Sequence, residues 1–437
     1  MTNAFWFSGF NALSFQMVLG NPMILFAKTL EDSATVLGII SGMMPLLVIF
    51  QIPAANHIPR YGYKRFVYGG WGIRIVFIFI MALVPLSGQF LDRSSQLALL
   101  LFLLFGFNLS RGISSCAWLP WITSLVPPSI RGKYLASDAA FVNVGSFCAL
   151  ALAALWLGQA PRPWQFALVF GFSGLAGIVS LTFLKRIPEG ETPEQIRSST
   201  TAVPWLEISR YRSFRKLLRL SVAWSAGYGG LTTFTVAFLK TETAMTEGGI
   251  LLVTSVSFLG GLSSLWFLGT RIDRLGSKPV LTFSLMAWWA IMAGWTLVAG
   301  RVLPPGLALI VLLQFAMGLG AALVNMANTR LAMATIPVMG RNHFFALFSV
   351  VGNLTLGLAP ILWGVIIDAM RSVNAARGGI EWNRYTLFFV LVGAVFLVVL
   401  ALCRQLEEPE AADMEALLRE VLIQSPQRFW LRFWPRN

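Results

Sequence analysis

Charge is scarce in this chain of 437 residues, and acidic charge is scarcest. Asp and Glu number 19 against 33 Lys and Arg, only 12% of the residues are charged, and 56% are hydrophobic. Histidine occurs twice, at His57 and His343, both in polar turns. With no carboxylate pair, nucleophile motif or phosphate loop beside them, this composition argues against an enzyme. The three cysteines, Cys116, Cys148 and Cys403, are far apart inside apolar segments, so neither a disulfide framework nor a metal cluster is expected, and no cofactor is implied. No Lys or Arg precedes Lys28. The basic start of a cleavable signal peptide is missing, and the first apolar segment is expected to remain as a permanent span.

What the sequence has is apolar length. Mean hydropathy is +0.71. Apolar segments run near 4–27, 34–56, 66–86, 95–125, 134–157, 164–184, 216–239, 248–270, 279–299, 305–335, 344–370 and 384–403. Each is long enough to cross roughly 30 Å of hydrocarbon as a helix. They are about twice the length of a barrel strand and do not alternate, so twelve transmembrane helices are expected. The fold class is therefore an all-α polytopic membrane protein. The net charge of +14 needs no nucleic acid, because basic residues on the cytoplasmic side of a membrane protein give the same sum. With the amino terminus inside, 22 of the 33 Lys and Arg fall in inner loops and the tail against 8 outside. Both termini are expected in the cytoplasm.

The chain also repeats itself. Residues 55–67 and 269–281 share Ile58 with Ile272, Arg60 with Arg274, Gly62 with Gly276 and Lys64 with Lys278. Residues 125–146 and 335–356 share Pro127 with Pro337, Arg131 with Arg341, Ala136 with Ala346 and Asn143 with Asn353. The expected organisation is a six-helix bundle over 1–185, a cytoplasmic linker over 186–215 with a basic amphipathic helix, a second bundle over 216–404, and an amphipathic tail over 405–437.

Gly269, Asp273, Arg274, Gly276 and Lys278 match a G-x-x-x-D-R-x-G-x-K/R loop, and through it the sequence resembles the major facilitator superfamily (MFS) of secondary transporters. The resemblance covers residues 4 to 404; Pro59 stands where the first-half copy would carry its acidic residue. It implies two pseudo-symmetric six-helix halves built from inverted three-helix repeats, with spans 1, 4, 7 and 10 lining a central cavity. It also implies that Asp273, beside Arg274, lies near the cytoplasmic start of the fifth span, where Arg131 or Lys133 offers positive potential, as a gating latch.

Polar residues within those four spans fall on stripes. They are Asn11, Ser14 and Asn21; Asn108, Arg111 and Ser115; Ser221, Trp224, Tyr228, Thr232 and Thr235; and Gln314, Asn325 and Asn328. Such stripes serve either a wet cavity or hydrogen bonds between helices. The expected solute-binding set is Asn11, Asn108, Arg111, Ser115, Trp224, Tyr228, Thr232, Gln314, Asn325 and Asn328. Arg111 sits near the bilayer midplane, where a charge demands a partner or water. Asp138 is the one carboxylate well inside a span, either a proton-coupling group or a structural partner of Arg131 or Lys133.

The expected function is a secondary transporter of a small organic solute across the inner (plasma) membrane by alternating access, with proton symport open. Arg111 points to an organic anion. The amide and hydroxyl stripes beside Trp118, Trp121, Trp224 and Trp363 suit a polyhydroxylated solute equally. The rival reading is a transporter-like sensor or assembly factor that moves nothing. The expected partners are the solute and the lipid bilayer, with no nucleic acid, and the chain is expected to be monomeric.

Overall fold

The computed structural model describes residues 2–55, 57–126, 131–189, 211–268, 276–335 and 341–406. Helices dominate, because only a helix can satisfy its own backbone N–H and C=O groups in hydrocarbon. Among the described residues, eleven helices are long and apolar enough to cross a bilayer. In the first half these are span 1 (Thr2–Leu30), span 2 (Ala34–Ala54), span 3 (Tyr63–Gln89), span 4 (Arg93–Ser115), span 5 (Arg131–Leu157) and span 6 (Pro163–Lys185). The second half contributes span 8 (Glu247–Leu268), span 9 (Ser277–Ala299), span 10 (Leu307–Thr335), span 11 (Arg341–Ala369) and span 12 (Arg384–Arg404). Span 7 is present as two shorter helices, Arg212–Tyr228 and Leu231–Glu242.

Glycine and proline explain where the spans break. Span 1 is interrupted at Gly20, just before Asn21 and Pro22 start its second helix. Span 7 is interrupted at Gly229 and Gly230; Gly230 has φ +80°, a conformation that costs a side-chain-bearing residue energy. Span 4 ends at Ser115 rather than running to 125, and a separate helix, Trp118–Leu125, follows. Pro120 has no N–H to give the carbonyl of Cys116 four residues back, and the break falls in the turn before it, where its ring crowds the backbone. By contrast, Pro360 is carried inside span 11 without a break. The basic run Arg212, Arg215, Lys216 and Arg219 forms the first turns of span 7, not a separate surface helix. Of the linker and tail expectations, 190–210 and 407–437 lie outside the described residues.

The two halves pack alike. Span 1 lies against spans 5 and 6, and span 7 against 11 and 12; span 3 packs on 4 and 6, and span 9 on 10 and 12. Between the halves, span 2 meets span 11 and span 5 meets span 8, two contacts that a twofold pseudo-symmetry exchanges. The 2–11 crossing is made of backbone on backbone. A Cβ at Gly38 would stand 2.2 Å from the Pro360 carbonyl oxygen, and one at Gly42 would stand 2.3 Å from that of Gly357. Small residues at such crossings let membrane helices gain the van der Waals contact that replaces a hydrophobic drive. Elsewhere large apolar side chains point outward, Phe102 and Leu155 being 69% and 79% exposed, as a lipid-facing surface requires.

All described hydrogen bonds between the halves lie toward one end, away from the termini, here called the outer end. Asn21 donates to Thr254 Oγ1 at 2.8 Å, and the Gly248 N–H donates to the Gly158 carbonyl at 2.8 Å. The Asp368 carboxylate accepts from Ser33 Oγ, from the N–H groups of Ala34 and Thr35, and from Thr35 Oγ1. Arg371 reaches Asp32 at 2.8 Å. A short hairpin, Ala375–Arg377 paired antiparallel with Ile380–Trp382, covers the outer turn between spans 11 and 12. The outer end is thus closed, and among the described residues no hydrogen bond joins the halves at the other end.

Candidate solute site

Inside the second half, reaching toward the terminus end, is a cavity of about 540 Å³. Span 7 supplies Ser221, Trp224, Ser225, Tyr228 and Thr232, a face that recurs every three to four residues along its first helix and continues past the glycine break. Span 10 supplies Gln314, Asn325 and Asn328, span 11 Ser349 and Asn353, span 8 Ser257, and span 5 reaches across with Asn143. None of the described lining residues is charged.

The aromatic wall is rigid. Trp224 and Tyr228 stack with ring centroids 5.2 Å apart and planes 14° from parallel. Behind them Trp288 meets both rings, at 5.6 Å and 5.8 Å, and Phe396 stacks on Trp224 at 5.4 Å. Four interlocked rings hold Trp224 and Tyr228 in one orientation, which lowers the entropy lost when a ligand lands on them.

The amides are set to receive hydrogen bonds. Asn143 and Asn353 each donate Nδ2 to the carbonyl one turn earlier, Ala139 and Ser349, at 2.8 Å. Their oxygens have no donor among the described residues, so both amides are pinned with an acceptor left free. Asn328 Oδ1 is buried without a partner, and Gln314, 2% exposed, also has none among the described residues. Buried amides left open in this way are expensive unless water or a ligand fills them.

Six of the ten expected solute contacts meet at this cavity: Trp224, Tyr228, Thr232, Gln314, Asn325 and Asn328. The other four lie in the first half, outside its described lining. Asn11 accepts from Trp71 Nε1 at 3.0 Å and more weakly from Arg74 at 3.4 Å. Asn108 donates to the Leu104 carbonyl, and Ser115 accepts from Gln51 at 2.7 Å. Arg111 has no partner among the described residues. Their stripe faces neighbours in their own half, as Ser14 does in exchanging hydrogen bonds with Ser173 of span 6. Asp138 accepts from Ser8 Oγ at 2.6 Å. Asp273 and Arg274 lie outside the described residues, and Arg131 opens span 5 with its side chain outside them.

Asn143 and Asn353 were missing from the expected set although their signal was in the sequence: they are a matched pair of the internal repeat. The repeat brings its two copies to one cavity.

A family model described as Major Facilitator Superfamily matches residues 5–251 and 225–434. The chain belongs to the major facilitator superfamily. It is therefore a multi-pass membrane transporter, in a family of carriers rather than enzymes. Among solved structures with this superfamily's fold, the nucleoside transporter NupG has 13% identity and a TM-score of 0.63, covering 92% of this chain and 97% of that one. The xylose transporter XylE from E. coli, in an inward-open conformation, has 13% identity and a TM-score of 0.69, covering 95% and 99%. A bacterial homologue of the human lysosomal transporter Spinster, inward-facing and unoccupied, has 14% identity and a TM-score of 0.62, covering 93% and 97%. At such identities the likeness is one of fold. Comparison with curated proteins gives no significant match.

Proposed function

We propose that this transporter carries a small, uncharged, polyhydroxylated organic solute through the cavity of the second half by alternating access. The observation that supports the reading is the lining itself: pinned amide oxygens, open amides and hydroxyls opposite a fixed Trp224–Tyr228 platform, without a charged group among the described lining residues. Hydroxyls satisfy free acceptors and donors at once, while the apolar face of a ring lies against the aromatic wall. Closure at the outer end and access from the terminus end correspond to one half of the transport cycle. With the termini in the cytoplasm, as the basic loops predict, the cavity opens inward, in the inner membrane. Asp138 is the proposed coupling group if a proton moves with the solute.

The test is a thermal-unfolding screen of neutral polyols, sugars and nucleosides on purified protein, since a ligand that binds only the folded state raises its melting temperature. Hits are then measured for uptake into proteoliposomes. Binding that is abolished by Trp224→Ala and accompanied by uptake supports the proposal. Binding without uptake favours a sensor, and stabilisation by charged solutes alone overturns the substrate class.

A further inference from the structure

Two arginines in the first half lack, among the described residues, the counter-charge that their position demands. Arg74 of span 3 is 4% exposed. Its only hydrogen bond among the described residues is the 3.4 Å contact with Asn11, whose oxygen is already taken by Trp71, and its Nε is buried with no partner. The guanidinium lies between two aromatic faces, 4.5 Å from the Trp71 ring centroid and 5.1 Å from that of Phe107. Arg111 is one helical turn beyond Phe107 on span 4, the ring that the Arg74 guanidinium faces. On that helix Phe102, Phe105 and Ile113 are the exposed, lipid-facing positions, so Arg111 points the opposite way, into the bundle.

No carboxylate among the described residues answers them. Asp138, the one acidic residue inside the described first-half spans, accepts from Ser8 and makes no ion pair with either arginine. Neither arginine has an ion pair among the described residues. Aromatic faces offset part of the desolvation of a guanidinium, but they do not neutralise it. Two unpaired cations on neighbouring helices at membrane depth are stable only with an anion or water to answer them.

We propose that Arg74 and Arg111 form an oxyanion-binding site inside the first half, separate from the described lining of the solute cavity. Arg74, clamped by Trp71, Phe107 and Asn11, is the fixed jaw; Arg111, partly accessible, is the jaw an ion meets first. The free N–H groups are planar forks, which match the paired oxygens of a carboxylate, nitrate or bicarbonate better than a spherical ion. The occupant is a free small oxyanion, since the solute of the proposed function is uncharged.

The experiment uses the purified full chain in nanodiscs at constant ionic strength, with the sodium salt of a bulky sulfonate buffer replaced stepwise by formate, nitrate or a longer hydroxycarboxylate. A saturable rise in melting temperature is expected. In Arg111→Gln the half-saturating concentration should increase roughly tenfold or more, the value of one charge-assisted hydrogen bond. Arg111→Lys, which keeps the charge and loses the fork, should fall between. Stabilisation by formate and nitrate that Trp224→Ala leaves intact identifies a free ion. Stabilisation only by longer carboxylates, lost also in Trp224→Ala, overturns the separate ion site and, with it, the uncharged substrate class. Equal melting temperatures in all the salts, or the same shift in wild type and Arg111→Gln, overturn the proposal. If Arg74→Gln does not fold, the Arg111 variants decide alone.

Discussion

Asp368 of span 11 caps span 2 from the other half of the molecule: its carboxylate accepts the Thr35 N–H at 2.8 Å and the Thr35 hydroxyl at 2.7 Å. The first turn of a helix has unpaired N–H groups and a partial positive charge, and both favour a carboxylate there. Here the cap and the helix belong to different halves, so the cap holds the outer end shut.

Asp368→Asn should loosen that end. Amide for carboxylate removes the charge and half the acceptors, at a cost of about 1 kcal/mol by analogy with lost N-caps. Pulsed EPR between spin labels on residues 31 and 372, with native cysteines replaced, should show a longer-distance population. An unchanged distribution would remove Asp368 from the latch.

Gly38→Val tests the same seal by bulk. A Cβ there meets the Pro360 carbonyl at 2.2 Å and cannot be accommodated without separating spans 2 and 11. The expected result is a folded protein, less stable by about 1–3 kcal/mol in the overpacking range, with slowed solute uptake. Uptake and melting temperature like wild type would show that the crossing is looser than drawn.

In the cavity, Trp224→Ala should abolish solute binding, and Tyr228→Phe should retain the platform with a smaller loss. Truncating Trp224 also unpacks Trp288 and Phe396, so part of the effect is on the wall rather than the contact. Isothermal titration with the best neutral ligand separates the two variants. Equal affinities in wild type and Trp224→Ala would move the solute elsewhere.

The pH dependence has a definite sign. Burial works to raise the Asp32 carboxyl, but hydrogen bonding to Lys28 and the nearby charges of Lys28, Arg384 and Arg371 hold it below the ordinary carboxylate value. A depressed folded-state value means that the stabilising contribution is present above the unfolded value, near 3.9, and is lost as pH falls through the folded one. Between pH 5 and 8, the destabilisation caused by Asp32→Asn should therefore be constant in thermal unfolding. A pH-dependent uptake in that range must come from another group, and Asp138→Asn should flatten it.

Most of the span boundaries were legible in the sequence because hydropathy over 18 residues is a physical requirement of the bilayer. The breaks were not. Gly229-Gly230 and Gly20-Asn21-Pro22 permit a helix to stop or continue, and only the neighbours decide. Gly229 and Gly230 are pressed against Ala359 and Pro360, which leaves no room for side chains. The stripes show the same limit. Helical spacing put Trp224 with Tyr228, and Asn108 with Arg111, on common faces, but spacing does not say what a face meets. Span 7 turns its stripe to a cavity, whereas Asn11 and Ser115 are engaged by Trp71 and Gln51 of their own half. Nothing in the spacing around Arg74 marks it, because its isolation depends on Trp71, Phe107 and Asn11 packed around it.

The interruptions at Gly20 and Gly229-Gly230 divide the first span of each half at corresponding points. Beyond them the outer pieces, Asn21–Leu30 and Leu231–Glu242, lie against each other across the halves. Each outer piece is joined to its inner piece at a glycine, and the inner piece of span 7 carries the Trp224–Tyr228 wall. In the proposed transport cycle, opening the outer end would turn these two short pieces about the glycine breaks. Such a turn would leave the Trp224–Tyr228 wall in place while carrying Thr232 with the outer piece, so one lining residue would report the state of the outer entrance to the solute site.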